Sequence, residues 1–287
     1  MSVDEPIGTR GTLPAVTPGP GTAAPTGGVD GRWLTSDVGA RITSYVAGVL
    51  LWAVLGAVFD RVPGPVDAVV NLWQEFGRGE VFGNFATTMI RFFAGVAVAA
   101  VIGITVGLLV GSSKLWRAAL SDIVLVGLSI PAVIWAFLTV MWFGLGWQAP
   151  FTATVLAATP FVAVNVSKGV TGISRDLRDM SRAYEVPLRR RIRDLALPAV
   201  TGYIVTGVRF GMIIGWNAVL LSEWFGSSSG VGFRARYWYD ANRFGGFAAW
   251  VVLFIAFIVA LDRLVLERLS RRAFAWRDAQ VEAHDDV

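Results

Sequence analysis

The chain has 287 residues, of which 54% are hydrophobic, and carries a formal net charge of +4 at pH 7. It contains no cysteine, which excludes disulfides, thiol catalysis and thiolate metal sites. Its one histidine, His284, lies in an acidic C-terminal stretch, so we expect neither histidine catalysis nor a metal site. Apolar residues fall in blocks of membrane length, and arginines cluster beside those blocks. This pattern predicts a polytopic membrane protein rather than a nucleic-acid-binding one.

Residues 1–32 are rich in glycine, proline, threonine and alanine and show no apolar periodicity. This composition predicts a disordered tail, and the stretch lacks the apolar core of a signal peptide. A passive tail and a tail that binds a partner or regulates the protein both fit this composition.

Six apolar segments come after the tail. They are predicted at about 42–59, 85–110, 118–143, 150–167, 199–224 and 247–266. Each is close to the ~20 residues that cross about 30 Å of hydrocarbon, so we expect an all-α membrane helical bundle. The predicted organisation is a cytosolic tail (1–32), a first transmembrane helix with an extracellular linker (33–84), a transmembrane domain (85–276) with a cytosolic hairpin (174–197), and an acidic tail (277–287).

The distribution of lysine and arginine predicts the orientation of the bundle. Eighteen of these residues lie in the tails and loops on one side, and five lie on the other. Because positive charge concentrates on the cytoplasmic side, both termini are predicted to be cytosolic in the cytoplasmic (inner) membrane.

Small residues recur along the second segment. Gly103, Gly107 and Gly111 are spaced by four residues, which puts them on one helix face. This face fits either packing of helices within the chain or contact with another subunit. Arg91, near the start of the same segment, is interpreted as an anchor at the extracellular interface.

The most polar stretch between apolar segments runs from Ser174 to Pro198 and carries seven arginines. Its apolar residues recur at steps of three and four, which predicts an amphipathic helix face. They are Leu177, Met180, Tyr184, Leu188, Ile192 and Leu195. Val186-Pro187 predicts a break, with one helix over about 175–185 and a second from Pro187 to about 196. Pro198 is predicted to open the next membrane segment.

Three stretches carry a family resemblance. DLRDMSRAYEV, followed by Leu197-Pro198, resembles the cytosolic EAA loop of permease subunits of binding-protein-dependent ABC importers. SIPAVIWAFLTVMWFGLG and VTGVRFGMIIGWNAVLLSEWFGSSSGVGF resemble segments of the nitrate, sulfonate and taurine branch of that family. The resemblance covers about 84–276 and implies a type I ABC importer permease fold with about six transmembrane helices.

The resemblance also implies a mechanism and partners. The chain would be a transporter subunit rather than an enzyme, moving a small solute, such as nitrate, a sulfonate or taurine, by alternating access. A separate ATPase subunit would bind and hydrolyse ATP, so the chain itself would need no cofactor, and no Walker motif occurs in it. Its other implied partners are an extracytoplasmic solute-binding protein, a second permease copy and membrane lipid. The alternative is an ATPase-independent transporter or a degenerate scaffold permease.

The EAA-like loop would dock on the ATPase. The residues that match the docking motif are Asp179, Met180, Ser181, Arg182, Tyr184, Glu185 and Val186. Met180 and Ser181 stand where the family has two alanines, and Glu185 stands at its glycine, a residue that permits positive φ. The arginines of the second hairpin helix fit lipid headgroups, acidic ATPase surface or simply the topology signal.

The fifth segment is the predicted lining of the translocation pathway. Its candidate residues are Arg209, Trp216, Asn217 and Glu223, because ionisable groups within membrane segments face protein or water. The alternative for Arg209 is an ion pair with a carboxylate between helices, for instance with Asp122. The glycine- and serine-rich loop 226–232 lacks the Gly-Lys-Ser/Thr ending of a phosphate loop, so we do not interpret it as a nucleotide site.

Overall fold

The structure is a computed structural model that describes residues 32–59, 61–261 and 263. The predicted tails, 1–32 and 277–287, lie outside these ranges apart from Arg32. The chain divides into two compact units at Leu50 and Leu51. All sites described below lie in the second unit.

The described residues form helices and no strand, as the all-α prediction requires. The helices are α1 (Arg32–Val58), α2 (Pro65–Gly77), α3 (Glu80–Ser112), α4 (Lys114–Ser129), α5 (Ala132–Phe143), α6 (Gln148–Thr171), α7 (Arg175–Ala183), α8 (Leu188–Arg190), α9 (Leu197–Gly226), α10 (Val231–Asp240) and α11 (Phe244–Leu261). A π-helical stretch, Arg191–Ala196, joins α8 to α9.

Four of the described helices are long and apolar enough to cross a membrane: α3, α6, α9 and α11. The predicted third span is two helices, α4 and α5, bent by 98° around Ile130 and Pro131. Pro131 has no N–H to continue the ladder of α4, which explains the break there. Counted as one span, the bent pair raises the number to five. The described apolar part of α1, Thr43–Val58, is shorter than these spans.

Helix α6 lies at the centre of the bundle, between α3 and α9. The glycine face of α3 packs against it. A Cβ on Gly103 would lie 2.6 Å from Cβ of Val162, and a Cβ on Gly107 would lie 2.6 Å from the carbonyl oxygen of Ala163. The small-residue face therefore serves helix packing within the chain, because any larger residue would push α3 away from α6.

The bundle has two contrasting ends. At the α10 end, α3 and α11 begin, α9 finishes, and α2 and α10 pack over them. At the hairpin end, α6 leads into α7, α8 and the π-helical stretch, which continues into α9 without a break. The predicted opening of a new segment at Pro198 corresponds to the second residue of α9, where the chain passes from π to α geometry.

Candidate functional site

The hairpin forms at the predicted place. Helix α7 covers Arg175–Ala183, and the backbone N–H of Leu177 donates to Oγ of Ser174, which caps the start of α7. The turn closes through a bond from the N–H of Val186 to the carbonyl of Ser181, 3.0 Å. The second helix begins at Leu188, one residue after Pro187, and changes from α to π geometry at Arg191.

Glu185 occupies the left-handed region, with φ of +49°. This is the conformation that the glycine at the matching family position can adopt without steric cost, whereas a residue with a Cβ is strained by about 1 kcal/mol. The turn therefore keeps the backbone geometry that a glycine allows, although glutamate stands there.

The described residues of the predicted docking motif face mostly outward. Tyr184 is 78% exposed, and Asp179, Met180 and Glu185 are exposed as well. Val186 is half-buried, and Ser181 is buried beneath the turn. The side chain of Arg182 lies outside the described part of the structure. The hairpin thus presents an apolar and aromatic surface at the end of the bundle, which is the kind of surface that a partner protein covers.

Helix α9 carries the four predicted pathway residues. Steps of seven residues put Arg209, Trp216 and Glu223 on one side of the helix, which faces the rest of the bundle. Trp216 is buried and stacks on Phe254, with ring centroids 4.5 Å apart. Asn217 is exposed on the neighbouring side, and Arg209 is half-buried. Their role in the pathway stays a prediction.

The alternative ion pair between Arg209 and Asp122 does not form in the structure. Among the described residues, no salt bridge joins the two side chains. Asp122 instead lines a cavity between α3, α4 and α6, together with Ser121 and Ser167.

Glu223 is the centre of a buried network at the α10 end. Its side chain is fully buried, and its carboxylate accepts a hydrogen bond from Nη1 of Arg91 at 2.8 Å. It also accepts bonds from Oγ1 of Thr88 at 2.8 Å and from the backbone N–H of Gly232 at 3.0 Å. These donors satisfy the carboxylate oxygens and so offset part of the cost of burying them.

The sequence had suggested that Arg91 is an interfacial anchor, but the structure buries it in this network. It is 3% exposed and donates to the carbonyl oxygen of Ser229 at 2.9 Å and to Oγ of Ser227 at 3.1 Å, in addition to Glu223. The guanidinium thus ties the loop after α9 to α3. Sequence reasoning singled out Glu223 as an ionisable group within a membrane segment but did not pair it with Arg91.

The glycine- and serine-rich loop is built around the Glu223 carboxylate. Gly230 has φ of +110°, and a Cβ placed there would overlap the carboxylate. The N–H of Gly230 donates to Oδ1 of Asn84 at 2.8 Å, and the N–H of Val231 donates to Oγ1 of Thr88 at 2.8 Å. These two loop N–H groups are thus directed at side chains of α3.

A second buried carboxylate, Glu75 of α2, was missed by the sequence analysis. It is 1% exposed and accepts four side-chain hydrogen bonds. They come from Nη2 of Arg234 (2.6 Å), Nε1 of Trp250 (2.9 Å), Nη1 of Arg78 (2.9 Å) and Nε1 of Trp238 (3.3 Å). Burial alone would raise the pKa of Glu75, but the bonds from Arg234, Trp250, Arg78 and Trp238 outweigh it and lower the pKa.

The surroundings of Glu75 are aromatic as well as cationic. The guanidinium of Arg234 lies 5.1 Å from the ring centre of Tyr237, and that of Arg243 lies 5.4 Å from that of Trp238. Such cation–π contacts add to the ion pair. The only sequence signal was one glutamate on the same face of the α2 segment as Ala68, which is also buried.

No group of three or more acidic or histidine side chains within the described ranges could hold a metal ion. At the α10 end, the carboxylates of Glu75 and Glu223 are each paired with an arginine, which fixes the helices against one another.

Comparison with known proteins identifies the family. Residues 81–273 match the family described as binding-protein-dependent transport system inner membrane component. The chain is 26% identical to a putative aliphatic sulfonates transport permease protein, SsuC, of Bacillus subtilis, over 84% of this chain and 91% of that protein. It is 27% identical to the nitrate import permease protein NrtB of Synechococcus elongatus, over 76% of this chain and 82% of that protein.

The bicarbonate transport system permease protein CmpB of Synechococcus elongatus is 25% identical over 77% of this chain and 85% of that protein. A solved structure of the MetNI methionine ABC transporter in an inward-facing conformation has a similar fold, with a TM-score of 0.57 and 24% identity. That match covers 67% of this chain and 95% of the other.

Permeases of this family cross the membrane several times. They are not enzymes, because a separate ATPase hydrolyses ATP. In general they work with that ATPase and with a solute-binding protein. Because the match spans most of the chain and agrees with the helical fold, this protein belongs to the inner-membrane permease subunits of binding-protein-dependent ABC importers, in the branch of the sulfonate and nitrate permeases.

Proposed function

We propose that the hairpin, residues 174–197, is the surface through which this permease receives work from its ATPase. The observation that carries the proposal is the exposure of Met180 and Tyr184 beside the left-handed Glu185, at the end of the bundle where the chain passes from α6 to α9. The proposed docking residues remain Asp179, Met180, Ser181, Arg182, Tyr184, Glu185 and Val186. The high density of arginine around the hairpin supports a cytosolic location for this end, with both termini on the same side.

The proposed transport cycle is alternating access. Two copies of the permease would enclose the pathway, and closure of the ATPase dimer would move the hairpins. A binding protein would dock at the α10 end. The two conformations must differ in their contacts with the partners for ATP to shift their populations.

The proposed solute is a small oxyanion. The relatives named above carry sulfonates, nitrate or bicarbonate, which share a delocalised negative charge on oxygen atoms. Arg209 on α9 supplies a positive charge within a membrane-spanning helix, and Asn217 supplies an exposed amide two turns further on. We propose these two as solute contacts, with Trp216 and Glu223 lining the pathway less directly by fixing α9 against α3.

Co-purification with the ATPase subunit tests the docking surface. The double substitution Tyr184→Ala with Arg182→Ala should abolish both retention of the ATPase and stimulated ATP hydrolysis. The matched control is Tyr237→Ala with Arg243→Ala, an exposed tyrosine and arginine at the opposite end of the bundle. The proposal is wrong if the hairpin variant keeps the ATPase bound, or if the control variant loses it equally.

The absence of cysteine from the sequence allows a direct test of orientation. A single cysteine in place of exposed Arg190 should react with a membrane-impermeant thiol reagent only from the cytosolic side. One in place of Tyr237 should react only from the outside. Reaction of both from the same side would contradict the proposed topology.

A further inference from the structure

Helix α2 presents an apolar face that nothing in the described structure covers. Val66 is 73% exposed and Trp73 is 80% exposed, and Val69 and Val70 between them are exposed too. Their spacing of three and four residues makes a single stripe along the helix. We call these four residues the Val–Trp face.

The opposite face of α2 is fixed to the bundle. Ala68 and Glu75 are both 1% exposed, and Glu75 is held by the four donors described above. Glu75 and Trp73 are two positions apart, which separates them by about 200° around the helix. The bonds of Glu75 therefore set the rotation of α2, and that rotation holds the Val–Trp face away from the protein.

Helix α2 lies at the end of the bundle where the membrane-spanning helices α3 and α11 begin. It packs against α11 and the start of α3, both of which begin at this end. The side-chain amide of Asn71 approaches Gly245, in the first turn of α11, so closely that a Cβ there would lie 2.6 Å from Nδ2. Helix α2 thus lies alongside the first turns of a membrane-spanning helix.

The exposed apolar surface continues onto α3. Phe82, in the first turn of α3, is 72% exposed and makes an edge contact with Phe76 of α2, with ring centroids 5.7 Å apart. Because α3 is a membrane span, an apolar surface that runs from its outer turn onto α2 is continuous with the lipid-facing surface of the bundle.

The chemistry of the three sides of α2 matches a membrane interface. The Val–Trp face has no charge, and its one hydrogen-bonding group belongs to tryptophan, a residue enriched at the level of lipid headgroups. Exposed Asp67, Gln74 and Arg78 form a polar flank beside it. A short helix with a strongly apolar side and a polar flank lies in the plane of the interface, with its apolar side buried about 5–10 Å.

We propose that α2 lies in the lipid interface at the α10 end, with the Val–Trp face against lipid acyl chains, and that Glu75 is the positioning residue that sets this rotation. The assignment to the outer leaflet rests on the proposed orientation of the permease; the contact with lipid does not. Arg234 and Trp238 of α10 and Trp250 of α11 donate hydrogen bonds to Glu75 of α2. The consequence is that α10 and the start of α11 are held at a fixed depth in the membrane.

The test uses single cysteines in this cysteine-free chain, labelled with a nitroxide in phosphatidylethanolamine–phosphatidylglycerol liposomes. Collision with oxygen, which is enriched in lipid, is compared with collision with a water-soluble nickel chelate. The ratio of oxygen collisions to nickel-chelate collisions should be several-fold higher for a label at Trp73→Cys than for a label at the adjacent Gln74→Cys. Position 74, on the polar flank, is the matched control. Val69→Cys should repeat the result of Trp73→Cys, so the test does not depend on a single variant.

Equal access of the nickel chelate to positions 73, 69 and 74 would overturn the proposal, because the face would then lie in water. So would protection of positions 73 and 69 that appears only when the solute-binding protein is added. Adding Glu75→Ala to Trp73→Cys should remove most of the contrast with position 74, and an unchanged contrast would refute the role of Glu75. None of these readouts needs the ATPase or a solute, so a failure here is distinguishable from a failure of the proposed function.

Discussion

The two ends of the bundle use charged residues in opposite ways. At the α10 end, Glu75 and Glu223 are almost completely buried and each is bonded to an arginine and to further donors. At the hairpin end, Arg189, Arg190 and Arg193 are exposed, as is Tyr184. A buried, bonded ion fixes one geometry, whereas exposed charges and aromatic rings remain available to a partner. The comparison indicates that one end holds the helices in register, whereas the other carries the surface that we propose as the ATPase contact.

The largest expected effect is that of Glu223→Ala. It leaves Arg91 buried without its carboxylate, which should cost about 3–5 kcal/mol of stability. Thermal unfolding of the purified permease should show a much lower Tm, whereas Tyr184→Ala at the hairpin end should change the Tm little.

A double substitution sharpens this result. Arg91→Met combined with Glu223→Leu removes both charges and should be less destabilising than Glu223→Ala alone, because no unpaired ion remains. If the double variant is as unstable as the sum of the two single variants, the pair is not coupled and the interpretation of the α10 end fails.

The next effect is that of Glu75→Gln, which keeps the shape of the side chain but removes its charge. Loss of the charged hydrogen bonds should cost about 1.5–3 kcal/mol near neutral pH. The lowered pKa of Glu75 also predicts a pH dependence. Its stabilising contribution is fully present above the unfolded-state pKa of about 4.3 and is lost as the pH falls through the lower folded-state pKa.

The stability of the native protein should therefore fall below about pH 4.3 more steeply than that of Glu75→Gln. Parallel curves of Tm against pH for the two proteins would show that Glu75 does not titrate in this way.

Gly230→Ala should cost about 1–3 kcal/mol, since its φ of +110° strains any other residue and the new Cβ would displace the Glu223 carboxylate. Gly83→Ala is the matched control. Gly83 lies in α3, near the same end, and a Cβ added there meets nothing within 4 Å. We expect the control to keep or slightly raise the Tm, and equal losses in both variants would point to a cause other than the carboxylate network.

The smallest expected effect belongs to the hairpin. Glu185→Gly should relieve the left-handed strain and stabilise the turn locally by about 1 kcal/mol. Amide hydrogen exchange of the turn should slow in the variant while exchange at the α10 end stays the same. Faster exchange in the turn would mean that the glutamate side chain contributes more than its backbone conformation costs.

The sequence was sufficient for features that depend on neighbouring residues. The apolar blocks predicted the positions of the four long spans and of the bent pair α4–α5, whereas the predicted first span, 42–59, corresponds to a shorter apolar helix, Thr43–Val58. Val186-Pro187 predicted the break in the hairpin. The sequence showed that Glu185 stands at a family glycine, but it did not show that the glutamate itself would adopt positive φ.

Features that depend on distant residues were not accessible in the same way. Arg91 and Glu223 are 132 positions apart, and only the packing of α3 against α9 brings them together. Glu75 escaped notice because it lies outside every apolar block, and its burial depends on α10 and α11. The bend of 98° between α4 and α5 also depends on distant residues, because α4 packs against α3 and α6 whereas α5 packs against α6 and α9.

The π-helical stretch Arg191–Ala196 has a mechanical consequence. It passes without interruption into α9, whose 30 residues extend about 45 Å to the other end of the bundle. A π-helical turn contains one extra residue. If the turn loses that residue to the chain before it, or shifts along the chain, the helix stays continuous and the rest of α9 rotates by about 100° for each residue. A displacement at the hairpin would then reach the opposite end of α9 as a rotation rather than as a simple translation.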